Sequence, residues 1–224
     1  YKIIAPRMYS ELEQLASDNG EVSGGIGGKY SPLLASLQAY LGGMGQHYGF
    51  INDSWKIDAQ KTINYLNANL LGIQSQAKQI ADKLTDKISV VYSSSKYNGV
   101  AIRFCQQIAE NAKQLCWSNK FPEMNHNELV SWGGGDTRFA PVFFSSGDLQ
   151  PNNQKRLEIT MSAIEQKAGE IFVLETKGET FIERSLYYIH LVDWASFYLC
   201  DLNGADIMDM EIVDYLKGEL AKLS

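Results

Sequence analysis

The sequence predicts an α/β protein, a three-layer sandwich in which helices cover both faces of a parallel sheet. Three observations carry that prediction. Short apolar runs alternate with longer amphipathic stretches along most of the chain. Runs such as ISVVY are rich in β-branched and aromatic residues, and this one ends in the small residues a strand-to-helix turn needs. The 224 residues, 45% of them hydrophobic, are enough to bury the core of one large domain, or of one domain and part of another.

Taken in order, YKIIA reads as a strand and YSELEQLASDNG as a short helix, with Leu12, Leu15 and Ala16 on one face and Asn19-Gly20 as its stop. The glycines of VSGGIGGKYSP mark a loop that either turns sharply or lets backbone approach a ligand. Ser31 as N-cap, Pro32 at the first helical position and Leu33, Leu34, Leu37 and Leu41 predict a helix that stops at Gly42-Gly43. Between Asn52 and Lys87, the apolar positions Leu66, Leu70, Ile73, Ala77, Ile80 and Leu84 recur at helical spacing, as one long connecting helix or a helix pair. ISVVYSSS is then a strand and NGVAIRFCQQIAENAKQ the helix after it. FAPVFFSS and EIFVLET are further strands, separated by the helix NNQKRLEITMSAIEQKAG. A long, strongly apolar helix from Thr180 to Leu202 closes at Asn203-Gly204, and Ile212, Val213, Leu216 and Leu220 define a last helix.

Charge and composition exclude several classes. Net charge is −6 and the lysines and arginines are scattered, so the basic footprint of a nucleic-acid binder is missing. No apolar run reaches the roughly 18 to 20 residues that span a bilayer, so no membrane partner is expected. Cys105, Cys116 and Cys200 are widely spaced, with no CxxC pair, and suggest neither a disulfide framework nor a zinc site. A reducing cytoplasm fits that usage.

Familiar motifs fail on spacing. GGIGGK lacks the four-residue gap and the Lys-Ser/Thr ending of a P-loop, and GGMGQ follows a helix where a dinucleotide fingerprint would follow a strand. His47, His126 and His190 have no metal-ligand spacing, and His126 with Glu123 and Glu128 would need unusual geometry, so no metal is expected. His190 shares the apolar helix with Asp193, an arrangement expected to give a satisfied core hydrogen bond. Ser93, Ser94 and Ser95 fall at the carboxyl end of a strand, where parallel sheets bind ligands and hydroxyls could hold a phosphate. Small residues are also what such a turn needs sterically. Glu110 stands near a helix C-terminus, the less favourable end for an acid, and is either a proton-transfer group or a solvated carboxylate. His126 lies in a polar segment whose asparagines could fix its tautomer, or is an ordinary loop histidine.

IRFCQQIAENAKQLCW, PEMNHNELVSW, YIHLVDWASFYL and IVDYLKGEL, in this order, closely resemble the second half of the bifunctional phosphoglucose/phosphomannose isomerases of the sugar isomerase (SIS) superfamily. The likeness runs from about Ser89 to the end and more loosely back to Tyr1. It implies a flavodoxin-like SIS domain over residues 86–224, connecting helices over 51–85 and the remnant of a first SIS domain over 1–50. It further implies a hexose 6-phosphate substrate, glucose 6-phosphate or fructose 6-phosphate and also mannose 6-phosphate, with no cofactor. In the family the site lies across a dimer interface. Glu110 of ENAK would shuttle the proton between C1 and C2, while His126 of NHNE, from the neighbouring subunit, and Lys217 of DYLKGEL would open the ring. Lys29 of GGIGGKYS stands where the family carries an enediolate-stabilising arginine, and the family's GxGGSG and SxSGxT phosphate loops have no counterpart here. The expectation is therefore a fragment or shortened member that still isomerises phosphosugars. The alternative is a non-catalytic phosphosugar-binding or regulatory SIS protein.

Overall fold

A computed structural model describes residues 54–223 together with Gly49. The readings on the first strand and helix, the glycine loop, the Ser31 helix, Lys29 and His47 lie outside the described residues. The described residues divide into two compact units, one comprising residues 54–70 with Glu179–Leu186, the other Leu71–Gly178 with residues 187–223.

Within the first unit, helix α1 spans Ser54–Ala68. Thr62 is buried, and its hydroxyl donates to the Asp58 carbonyl at 2.8 Å. Asn69 ends the helix by donating its side-chain amide to the Tyr65 carbonyl at 2.8 Å, so the apolar period that ran through this region resolves into two helices. The other segment of this unit carries a reciprocal cap. Glu183 N–H donates to Thr180 Oγ1 at 3.1 Å, while Glu183 Oε2 accepts from the Thr180 and Glu179 amides. The cap starts α7, which runs Phe181–Leu202.

The second unit holds α2 (Leu70–Leu84), β1 (Ile88–Ser94), α3 (Asn98–Ala112), β2 (Cys116–Phe121), the short helices α4 (Glu123–His126) and α5 (Glu128–Ser131), β3 (Phe139–Ser145), α6 (Pro151–Ala168), β4 (Phe172–Glu175), the body of α7, and α8 (Glu211–Ala221). Its four strands pair in parallel in the order β2-β1-β3-β4. The inner strands β1 and β3 are buried on both faces, β3 through a largely apolar run and β1 through apolar residues together with the small Ser89, Ser93 and Ser94. Edge strand β4 alternates buried and exposed residues.

Alternation along the inner strands divides the core. Val90, Tyr92 and Phe143 face a cluster with Phe121, Met124 and Trp132, and with Leu157, Ile164 and Ala168 of α6. Phe144 faces the other way, stacking on Tyr188 of α7 with centroids 4.4 Å apart and meeting Phe104 of α3 edge-on at 6.3 Å. Helices therefore cover both faces, giving the predicted three layers. At the end of α6, Gly169 takes φ +82° and its N–H closes on Glu165 O at 2.9 Å, a left-handed stop that a side chain would strain.

On the second face, α3 and α7 meet along a polar seam. One guanidinium nitrogen of Arg103 donates to both carboxylate oxygens of Asp193, at 2.9 and 3.1 Å. Asn111 donates to Ser196 Oγ at 2.8 Å, and Asn203 donates to the Ala112 carbonyl at 3.0 Å. The Asp193 partner is thus Arg103, which corrects the expected bond with His190. His190 is buried and packs edge-on against Trp194, with burial lowering its pKa.

Asp193 is only 4% exposed. Burial raises its carboxyl above the ordinary value, against the pull of Arg103. The unfolded chain therefore releases this proton first, and the stability Asp193 contributes falls as pH rises from about 4 through the raised folded value. Urea denaturation of Asp193→Asn should show a flatter stability profile across that acidic range. Arg103→Met strands the carboxylate and should cost about 3 kcal/mol at neutral pH, and less in acid.

Candidate active site

ENAK occupies the last turn of α3, and each residue has a separate physical job. Asn111 is buried and tied to Ser196, and Ala112 is buried with its carbonyl capped by Asn203. Lys113 takes φ +55° and ends the helix in the left-handed conformation, its ammonium reaching back to the Glu110 carbonyl at 2.7 Å. Glu110 is exposed on this anchored turn. Its backbone is held in place by these neighbours, and the carboxylate has no hydrogen-bond partner among the described residues.

NHNE is built the same way. Asn125 donates to Thr160 Oγ1 of α6 at 2.6 Å. Glu128 accepts from Tyr92 of β1 at 2.6 Å and from Asn119 of β2 at 2.7 Å, and Trp132 Nε1 donates to the Tyr92 hydroxyl at 2.8 Å. Burial, and then the bond to Glu128, push the Tyr92 hydroxyl far above its ordinary pKa, so it remains a donor. Between these two anchors His126 ends α4, exposed. Sequence reasoning placed it in a polar loop and passed over Asn111, Ser196, Tyr92, Asn119 and Thr160, and read Asn203 only as a helix stop.

The two exposed side chains stand at opposite edges of the sheet. The residues after α3 reach the amino edge, where Gln114 donates to the Leu84 carbonyl just ahead of β1. β2 then crosses from Cys116 to Phe121, and His126 lies beyond its carboxyl end. Five strand steps of about 3.3 Å put about 17 Å between these edges. Within one chain, Glu110 and His126 therefore follow opposite ends of the strands.

Ser93 and Ser94 are buried at the carboxyl end of β1, and neither hydroxyl has a hydrogen-bond partner among the described residues. Ser95 is exposed and begins a 3-10 turn. Ser94 pairs in register with Phe121, so this serine run and the segment carrying His126 share one edge. Sheet order reverses here, with β2 on one side of β1 and β3 on the other. Across that switch, Asp148 pairs with Lys96 and accepts from Tyr97 at 3.2 Å. Burial raises the Asp148 carboxyl, but Lys96 and the Ser146 and Tyr97 hydroxyls together outweigh it and hold the carboxyl below the ordinary value. Lys217 is exposed on α8, its ammonium 3.9 Å from Asp214. Among the described residues no group of three or more His, Cys, Asp or Glu is placed to hold a metal, and no helix is long and apolar enough to cross a membrane.

A four-stranded parallel sheet of this order, helix-covered on both faces, defines a doubly wound, flavodoxin-like α/β domain. The same fold is seen in the C-terminal domain of glucosamine-fructose-6-phosphate aminotransferase from Francisella tularensis, with a TM-score of 0.61 and 15% identity over 80% of this chain and 55% of that one. The family model of the bacterial phospho-glucose isomerase C-terminal SIS domain matches residues 73–220, and the chain belongs to that family. It is 32% identical over 159 residues to the bifunctional phosphoglucose/phosphomannose isomerase of Aquifex aeolicus, covering 70% of this chain and 50% of that protein. Against the protein of the same name from Thermoplasma volcanium it is 31% identical, covering 65% and 48%. The chain spans about half the length of the curated relatives it matches.

Tyr92→Phe removes the hydroxyl that joins Glu128 to Trp132 and leaves a buried indole N–H unpaired. Chemical denaturation should show a loss of about 2 kcal/mol. Ser95→Ala, at an exposed position of the neighbouring turn, should change stability by less than about 0.5 kcal/mol.

Proposed function

We propose that this chain forms part of a phosphosugar aldose-ketose isomerase that interconverts glucose 6-phosphate and fructose 6-phosphate, accepts mannose 6-phosphate, and works through a cis-enediol. The observation that carries this reading is the placement of an exposed carboxylate and an exposed imidazole, each on a backbone anchored by buried hydrogen bonds, at opposite edges of one sheet. Two copies in a homodimer bring the Glu110 edge of one against the His126 edge of the other. Every residue of α8 described is exposed, Ile212, Leu216 and Leu220 among them, which gives a partner surface an apolar helix to cover.

The chemistry needs proton transfer in two stages, ring opening and then isomerisation. In ring opening, His126 takes the O1 proton while Lys217 assists by donating toward O5. Glu110 then removes the proton from C2 of the open-chain aldose, leaving the enediolate, and returns it to C1 on the same face as the O2 hydroxyl proton passes to O1, giving the ketose. Glucose 6-phosphate and mannose 6-phosphate differ only at C2, so both pass through the same enediol. No bond in this sequence changes electron count through an external carrier, and no cofactor is assigned. Ser93, Ser94 and Ser95 supply hydroxyls to the 6-phosphate at the His126 edge, and Lys29 supplies positive charge to the enediolate. In this organisation residues 86–224 form the catalytic SIS domain, 51–85 the connecting helices and 1–50 the remnant of a first SIS domain. Three free thiols fit a cytoplasmic enzyme of carbohydrate metabolism, in glycolysis and gluconeogenesis.

Proton NMR of the three hexose 6-phosphates in deuterated buffer tests the reading. The chain should exchange and isomerise at C1 and C2, and Glu110→Gln should lower that rate by about 100-fold or more. No exchange by a properly folded dimer would favour a binding protein instead. A mixture of Glu110→Gln and His126→Ala chains tests the shared site. Random heterodimers restore one intact site in every two dimers, so about a quarter of native activity should return. If both residues act from one chain, none returns.

A further inference from the structure

Two of the three cysteines are drawn together by the fold. Cys105, on α3, and Cys116, the first residue of β2, lie with their sulfurs 3.1 Å apart, the Cys116 thiol directed at Cys105. That separation is about 1 Å longer than a disulfide bond of about 2.05 Å, a gap that small side-chain rotations close. Nothing in the spacing of the sequence announced the pair, because a helix turn and a strand start bring it together. The stretch between the two cysteines also carries Glu110 and the left-handed Lys113.

We propose that Cys105 and Cys116 are a peroxide-oxidisable dithiol that closes to an intrachain disulfide. The environment divides the roles between the two sulfurs. The Cys116 thiol, and then the Ser118 hydroxyl, donate toward Cys105 and lower its pKa although burial opposes them, so Cys105 is the more readily ionised of the two. Cys116 is pushed the other way, chiefly by donating to Cys105, and remains the thiol. Cys105 is only 9% exposed and Cys116 is partly exposed, so a small oxidant is admitted where a bulky one is not.

Hydrogen peroxide is the oxidant. The Cys105 thiolate attacks one peroxide oxygen, the O–O bond breaks, and hydroxide leaves, giving the sulfenic acid. Cys116 gives up its proton and attacks the Cys105 sulfur, displacing the oxygen, which takes up a proton and leaves as water. The net change is two thiols and one peroxide to one disulfide and two waters. The bridge ties the last turns of α3 to β2 around the proposed base. Cys200 serves as an internal control, since its thiol donates to the Ala205 carbonyl at 3.2 Å and burial raises its pKa.

The test uses the reduced full chain, treated with one equivalent of hydrogen peroxide, alkylated and mapped by peptide mass spectrometry. The expected product is lighter by about 2 Da before alkylation, with Cys105 and Cys116 joined in one peptide pair, Cys200 alkylated, and full reversal by dithiothreitol. In Cys116→Ser, Cys105 should stop at a sulfenic acid that dimedone captures. Three alkylated cysteines after peroxide, a link to Cys200 or to a second chain, or irreversible sulfinic acid without the linked pair would overturn the proposal.

Discussion

Every strand of the sheet runs in the same direction, and most of what can be said about the site depends on that constraint. Parallel strands cannot be joined by tight hairpins, so each connection recrosses the sheet and each edge collects one kind of chain end. The residues after α3 are returned to the amino edge, where Gln114 meets Leu84. The segment after β2 is delivered to the carboxyl edge, beside the end of β1. The two motifs that suggest chemistry are therefore separated by the length of β2 within one chain, however few residues separate them in sequence.

Both motifs owe their order to residues that perform no proton transfer. In ENAK, Asn111 and Ala112 are fastened to α7, so the exposed Glu110 rides on a turn whose neighbours are buried. In NHNE, Glu128 ties two strands to the segment, and Asn125 ties it to α6. Buried, satisfied polar groups of this kind hold a backbone more rigidly than apolar contact alone, because breaking one leaves an unpaired group in a low-dielectric interior. A flexible side chain presented from a rigid turn is a workable arrangement for a group that must meet a second surface. The α3–α7 seam adds a cost of its own, since Asp193 is kept in the interior by one guanidinium.

Much of the fold was legible because local chemistry and tertiary role agreed. β1 and β3 hold mostly apolar and small residues because both their faces are covered, and α7 is apolar around much of its circumference because most of its length from Leu186 on is buried. β2 was not legible. CWSNKF has no strong alternation, and as an edge strand it owes its place to pairing with β1 and not to its own side chains. The α4 and α5 helices are four residues each, too short to leave a period, and rest on Met124 in the core and on the Glu128 bonds. Asp193 was assigned the wrong partner because a residue three positions away on the same helix is visible in sequence, whereas Arg103 arrives from another helix.

By itself the sequence determined the alternation of strands and helices, the core faces of those elements, and the motifs that tie the chain to its family, since these depend on residue type and spacing. Tertiary structure alone decided which strands are neighbours, that Glu110 and His126 face opposite edges, which partners Asp193 and Glu128 take, and that Cys105 meets Cys116. The physical reason is the range of the forces involved. Periodicity reports burial averaged over one element, while a hydrogen bond or thiol contact acts only within a few ångströms and exists only once separate elements have packed.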